Sequence, residues 1–173
     1  MFPRGFKAEA NRISLSIRRE LGLEPHSPLC PRSLAEHLLI PVVQLRDLSQ
    51  KHPVIAKHVD YFVNVNPWVF SAITIFHGSH RLIVHNDCHA PTRRRANIAH
   101  ELAHALLHHP PHPPFCKRGK RVFNHQLENE ASWLGPTLLV SNEAAHWARR
   151  SGMTEGTAAL HFGVREPLNN RLQ

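Results

Sequence analysis

The sequence predicts an α+β fold in which a small, mostly antiparallel sheet is flanked by helices. Two observations predict it: apolar residues recur at helical spacing near the N-terminus and again beyond residue 92, and β-rich runs fill the stretch between them. Phe6, Ala10, Ile13, Ile17 and Leu21 share one helical face, and Gly22 follows as a stop, so residues 6 to 21 read as an amphipathic helix. Ser33-Leu34-Ala35-Glu36 has the form of a capping box and starts a short helix that Pro41 closes. The runs Val42–Leu45, Val59–Val65 and Trp68–Phe76 read as strands. The last of these joins Arg81–His85 through His77-Gly78-Ser79-His80 as a hairpin.

From Thr92 the period is helical again, up to His109 before Pro110 and Pro111. Residues 110 to 123 hold four prolines among Lys117, Arg118, Lys120 and Arg121 and read as a basic, irregular connector. A helix near Asn124 carries Leu127, Ala131, Leu134 and Leu138 on one stripe and is expected to kink at Pro136. Ser141–Arg150 and Thr154–His161 read as short helices ending at Gly152 and Gly163, and Pro167 suits the first turn of a last one. No repeat or linker divides the chain, so a single domain over 1–173 is expected.

The 173 residues carry 42% hydrophobic and 20% charged side chains, close to globular averages, which argues against disorder and against a coiled-coil rod. The longest nearly unbroken apolar stretch, Trp68 to Phe76, is far short of the roughly 20 residues that span a bilayer. With no apolar leader in Met1-Phe2-Pro3-Arg4-Gly5-Phe6-Lys7, the expected compartment is the cytoplasm. Cys30, Cys88 and Cys116 are isolated and odd in number, so reduced thiols are expected rather than disulfides. The net charge of +8 favours acidic partners in general, and 16 histidines are far more than packing needs.

His100-Glu101-Leu102-Ala103-His104 carries the chemistry. Residues four apart on a helix face the same way, so His100 and His104 can hold one metal ion while Glu101 approaches its open side, the zincin arrangement. A catalytic zinc takes a third protein ligand, and the helix from Asn124 offers Glu128 and Glu130. Two residues apart on a helix, these point about 200° apart, so at most one can face the metal. Glu128 is preferred because Ala131 and Ser132, on its side, are small enough to let the helices approach; Glu130 then reads as solvent-facing or salt-bridged. Imidazoles with a carboxylate suit zinc and also admit manganese. Tyr61, His85, His125 and His161 are candidates for the oxyanion donor, without a preference among them. His108, His109 and His112 are expected at the surface of the helix end. Arg93, Arg94 and Arg95 crowd a helix N-terminus, where cations are disfavoured, and read as structural rather than substrate-binding.

Leu82-Ile83-Val84-His85-Asn86 followed by Arg93-Arg94-Arg95-Ala96-Asn97-Ile98-Ala99 and the His100–His108 stretch resembles the ImmA/IrrE family of metallopeptidases, the IrrE N-terminal-like domain. Leu34–Val43, Glu128-x-x-Ala131 with Leu138-Leu139, and Phe162-Gly163-Val164 with Arg171-Leu172 are similar to further pieces of that family, so the likeness spans most of the chain. The resemblance implies a zincin-like metallo-endopeptidase with His100, His104 and Glu128 as metal ligands and Glu101 as catalytic base. It also implies a bacterial or phage-associated regulatory protease, of the kind linked to stress responses, acting in the cytoplasm on a helix-turn-helix repressor. The chain departs from the family pattern at Ser132, where Asn or Asp orients a ligand histidine, and at Leu134-Gly135-Pro136, Ser141 and Arg165. Those departures keep in view a zinc-binding but catalytically weak interaction domain. A DNA-binding module built on the last two helices is disfavoured, because Thr154–His161 has no Lys, Arg, Asn or Gln to read bases.

Overall fold

The computed structural model describes residues 2–111 and 124–165. The basic connector beyond Pro111, with His112 and Cys116, and the segment with Pro167, Arg171 and Leu172 lie outside the described residues.

The first helix, α1 (Phe6–Glu20), and α2 (Pro31–His37) precede a three-residue strand, β1 (Val42–Gln44). Three short helical pieces follow: α3 (Leu45–Lys51), a 3-10 turn at Pro53–Ile55, and α4 (Ala56–Asp60), which runs into a π turn at Tyr61–Val65. The hairpin β2 (Ala72–His77) and β3 (His80–His85) leads to α5 (Pro91–Leu106), and the described residues continue with α6 (His125–Leu139), α7 (Asn142–Arg150) and α8 (Glu155–Phe162). The sheet has the order β1-β3-β2: β2 pairs antiparallel with β3 along six residue pairs, and β1 pairs parallel with β3 along three. The sheet is therefore mixed. Among the described residues no helix is long and apolar enough to cross a membrane.

Several expected boundaries move, each for a local reason. Val59–Val65 is helical, not a strand: Val59 and Val63 stand four apart and are both buried against Leu45 and Val84, so one helical face outweighs β-branched propensity. Strand β2 begins at Ala72 rather than Trp68, because the preceding loop is held by the buried Asn86 side chain, whose Nδ2 donates to the carbonyls of Phe62 and Phe70. Leu45 leaves the expected first strand and opens α3. Helix α2 starts at Pro31, two residues before Ser33, since a proline with its preset φ suits the first helical position; no side chain caps it. Helix α5 stops at Leu106, short of His109, and His108 takes a left-handed conformation (φ 53°) that turns the chain back on the helix. By contrast α6, α7 and α8 start where their caps predict, on Asn124, Ser141 and Thr154, whose side-chain oxygens accept backbone N–H bonds.

The core that positions the site is the α5–α6 pair with α1 and α2 around it. Ile98, Leu102 and Ala103 of α5 meet Ala131, Leu134 and Leu138 of α6, together with Ala10, Ile17, Leu34 and Ile83. Gly135 sets the spacing: a Cβ there would stand 3.0 Å from the His100 Cα and 3.1 Å from its backbone nitrogen. Arg18, fully buried in α1, donates to Ser14 and to the carbonyls of Ser27 and Leu139, and so ties α1 to the end of α6; burial lowers its pKa to about 10.

Candidate metal centre

Helical spacing on α5 stacks His100 and His104 one turn apart, with their Nε2 atoms 3.2 Å from each other. Glu128, in the first turn of α6, reaches across: its Oε2 is 3.3 Å from His100 Nε2 and its Oε1 is 3.7 Å from His104 Nε2. Donor atoms bound tetrahedrally to zinc at about 2.0–2.1 Å stand about 3.3 Å from one another, so the three groups already have the spacing of a single-ion site. A site of this kind needs an open position, and the Glu128 side chain is 41% exposed while His104 beneath it is 18% exposed. Burial, then the charge of the neighbouring His100, lowers the His104 pKa to about 4, so without metal this imidazole is neutral at physiological pH with a lone pair to offer.

Glu130 points away from the site, as expected from its position two residues on, and of the two expectations for it, solvent-facing or salt-bridged, the second is met. It is buried and paired, and His109, expected at the surface, is only 6% exposed. His104 Nδ1 lies 2.8 Å from His109 Nδ1, His109 Nε2 lies 3.1 Å from Glu130 Oε2, and Gln126 Nε2 donates to Glu130 Oε1 at 3.0 Å. One proton arrangement leaves the His104 Nε2 lone pair free. In it, His104 donates from Nδ1 to His109 Nδ1, and His109 donates from Nε2 to the Glu130 carboxylate. This is the outer hydrogen bonding that orients a ligating imidazole and raises its basicity. Ser132 does not take that part, because it is exposed; the small residues that admit α5 are Ala131 and Gly135. The signal missed in the sequence was the left-handed turn at His108, which converts a residue past the helix end into a partner of its last turn.

Glu101 is held from the sheet, where the Thr74 hydroxyl on β2 donates to its Oε2 at 2.6 Å. Burial raises the Glu101 pKa, opposed by the Thr74 hydrogen bond and by His100. Thr74 carried no signal in the sequence, because the hairpin register that faces it toward α5 is a tertiary fact. Among the expected oxyanion donors, Tyr61 packs edge-on against Phe62, His161 packs against Trp147, His125 is exposed, and His85 Nε2 is engaged by Arg32. Arg81 was not foreseen. Its Nη1 is buried without a hydrogen-bond partner, and its charge contributes to the low His104 pKa. Two of the three clustered arginines are structural, as expected. Arg93 donates to Ser71 Oγ at 3.0 Å and lies over the Trp68 ring, and Arg95 donates to the carbonyls of Leu29 and Phe162.

Two helices that meet closely enough for one carboxylate to reach two imidazoles can hold a divalent ion beside a buried acid, and the class so defined is a zinc metallopeptidase-like domain. Comparison with known families places it further. The chain belongs to the Peptidase_M78 family, whose IrrE N-terminal-like domain matches residues 52–168, the stretch that carries both site helices. No curated protein matched the chain.

Proposed function

We propose that this protein is a zinc-dependent endopeptidase with His100, His104 and Glu128 as metal ligands and Glu101 as general base. The observation that carries this reading is the spacing of the three donor groups, 3.2, 3.3 and 3.7 Å, next to a carboxylate fixed by Thr74. Zinc bound there supplies a Lewis acid that polarises a peptide carbonyl and makes water acidic near pH 7. Glu101, raised in pKa by burial, accepts the proton of the attacking water and returns it to the leaving amine. Thr74 occupies one carboxylate oxygen and leaves the other for that transfer. Arg81, with a buried N–H lacking an acceptor, is the donor we assign to the developing oxyanion. The outer edge of β2 has no strand partner among the described residues and lies beside Glu101 through Thr74, so an extended peptide can add to the sheet there.

The substrate is proposed to be a helix-turn-helix repressor cleaved in the cytoplasm, the class that the family resemblance implies; manganese is the alternative metal. Metal analysis and a cleavage assay on wild type and Glu101→Gln test the reading. The variant is expected to retain one zinc per chain and lose cleavage of a repressor encoded beside this gene. Cleavage by Glu101→Gln at the wild-type rate would refute the assignment of the base, and failure of the wild type to bind metal would refute the site.

A further inference from the structure

The first turn of α5 lies roughly 9 Å along the helix from His100 and borders a cavity of about 220 Å³ between the start of α2 and the end of β3. Its polar lining carries three guanidinium groups, Arg32, Arg94 and Arg95, beside the neutral imidazole of His85, and among the described residues it holds no carboxylate. The groups that line it are donors short of acceptors. Arg32 Nη2 lies 2.8 Å from His85 Nε2, and because a guanidinium can only donate, Nε2 must accept and the His85 proton sits on Nδ1. His85 is fully buried, and that Nδ1 makes no hydrogen bond. Arg95 spends Nη2 on the carbonyls of Leu29 and Phe162, with its Nε against Gly163 at the end of α8. Arg94 makes no side-chain hydrogen bond or ion pair among the described residues.

The helix adds to this surplus. Ala90, the residue before Pro91, makes no side-chain cap, so the free N–H groups of the first turn add partial positive charge at this end of α5. The nearest carboxylate on β3's exit, Asp87, is already engaged by the Arg46 side chain and backbone N–H. Three cations at the positive end of a helix are unfavourable unless an anion joins them, and guanidinium groups with helix N–H donors match the oxygens of a phosphate. The apolar part of the lining, Pro31, Pro91 and Ile98, gives a small organic group somewhere to lie.

We propose that this cavity binds a phosphate dianion, either inorganic phosphate or the phosphate of a small phosphomonoester, through Arg32, Arg94, Arg95 and His85. The site is separate from the metal centre and does not depend on the peptidase reading. Cys30, an exposed free thiol in the cavity lining, makes a local reporter, with Cys88 as an internal reference. The test is alkylation of the full chain by iodoacetamide, mapped by peptide mass spectrometry, with phosphate, glycerol 3-phosphate, acetate or chloride at matched ionic strength.

Phosphate or glycerol 3-phosphate is expected to slow Cys30 alkylation at least threefold with millimolar half-effect, leaving Cys88 unchanged, and Arg94→Gln should abolish that dependence. Stronger protection by glycerol 3-phosphate than by phosphate would identify the phosphomonoester as the ligand, and equal protection would identify the bare ion. Equal protection by acetate, or none by either phosphate up to about 20 mM, would overturn the proposal. Survival of the phosphate effect in folded Arg94→Gln, checked by circular dichroism, would also overturn it.

Discussion

Replacing His109 by alanine isolates the outer support of the metal site from the site itself. The side chain bridges His104 Nδ1 at 2.8 Å and Glu130 Oε2 at 3.1 Å, and its removal leaves Glu130, 9% exposed, with only the Gln126 amide at 3.0 Å among the contacts described above. Two effects follow, and they are separable. Deleting His109 leaves a buried carboxylate oxygen without its hydrogen-bond donor, which costs about 1–3 kcal/mol of stability. Releasing the His104 imidazole from its fixed tautomer and orientation is expected to weaken zinc binding about 10- to 100-fold, about 1.4–2.8 kcal/mol. Glu130→Gln keeps the shape and one acceptor, so it should weaken zinc binding less than His109→Ala, and the double variant should cost less than the two singles added. Zinc affinity is read by competition with a chromophoric chelator, and stability by urea unfolding of the chelated protein. If His109→Ala loses stability while its zinc affinity stays within about twofold of wild type, the pair is only a packing feature and the reasoning fails.

Other perturbations probe the remaining contacts. Gly135→Val places a branched side chain where even a Cβ would meet the His100 backbone at 3.0 Å. It is expected to destabilise the chain by about 2–4 kcal/mol and to lower zinc affinity, whereas Gly135→Ala should be close to neutral, because about 1 kcal/mol of helix propensity offsets a smaller clash; equal stability of Gly135→Val and wild type would refute the close approach. Thr74→Val should retain zinc and lower kcat about tenfold with KM little changed, since it frees the Glu101 carboxylate; an unchanged kcat would remove Thr74 from the positioning of the base. Metal-free protein should lose stability as the pH falls from about 6.5 towards 4. The reason is that His104 (about 4) and His85 have folded pKa values below the unfolded one, so the unfolded chain binds more protons in that window. Thermal unfolding of chelated protein across that range checks the sign, and a rise in Tm on acidification would contradict it.

Much of the site was legible before the fold, because its main determinants are local. The spacing of His100 and His104 within an apolar helix fixes two imidazoles on one face whatever surrounds them, and the caps at Asn124, Ser141 and Thr154 fix where three helices start. Helix periodicity allowed only one of Glu128 and Glu130 to face the imidazoles, and the preference for Glu128 rested on its small neighbours, of which Ala131 is buried and Ser132 is exposed; the Glu128 carboxylate does meet both imidazoles. Val59–Val65 was misread because β-branched composition and helical spacing gave opposite signals in a short run, and burial against Leu45 and Val84 settled it.

The sequence by itself determined the α+β class, the helices α5 and α6 and, through the four-residue spacing on α5, two imidazoles on one face, since each depends on periodicity within one segment. Tertiary structure alone decided what supports them: Thr74 against Glu101, His109 and Glu130 behind His104, and the cationic cavity at the start of α5. Those contacts join residues from different segments or across a left-handed turn. Their geometry is set by hairpin register and by the close approach of α5 to Gly135, quantities that no single run of residues encodes.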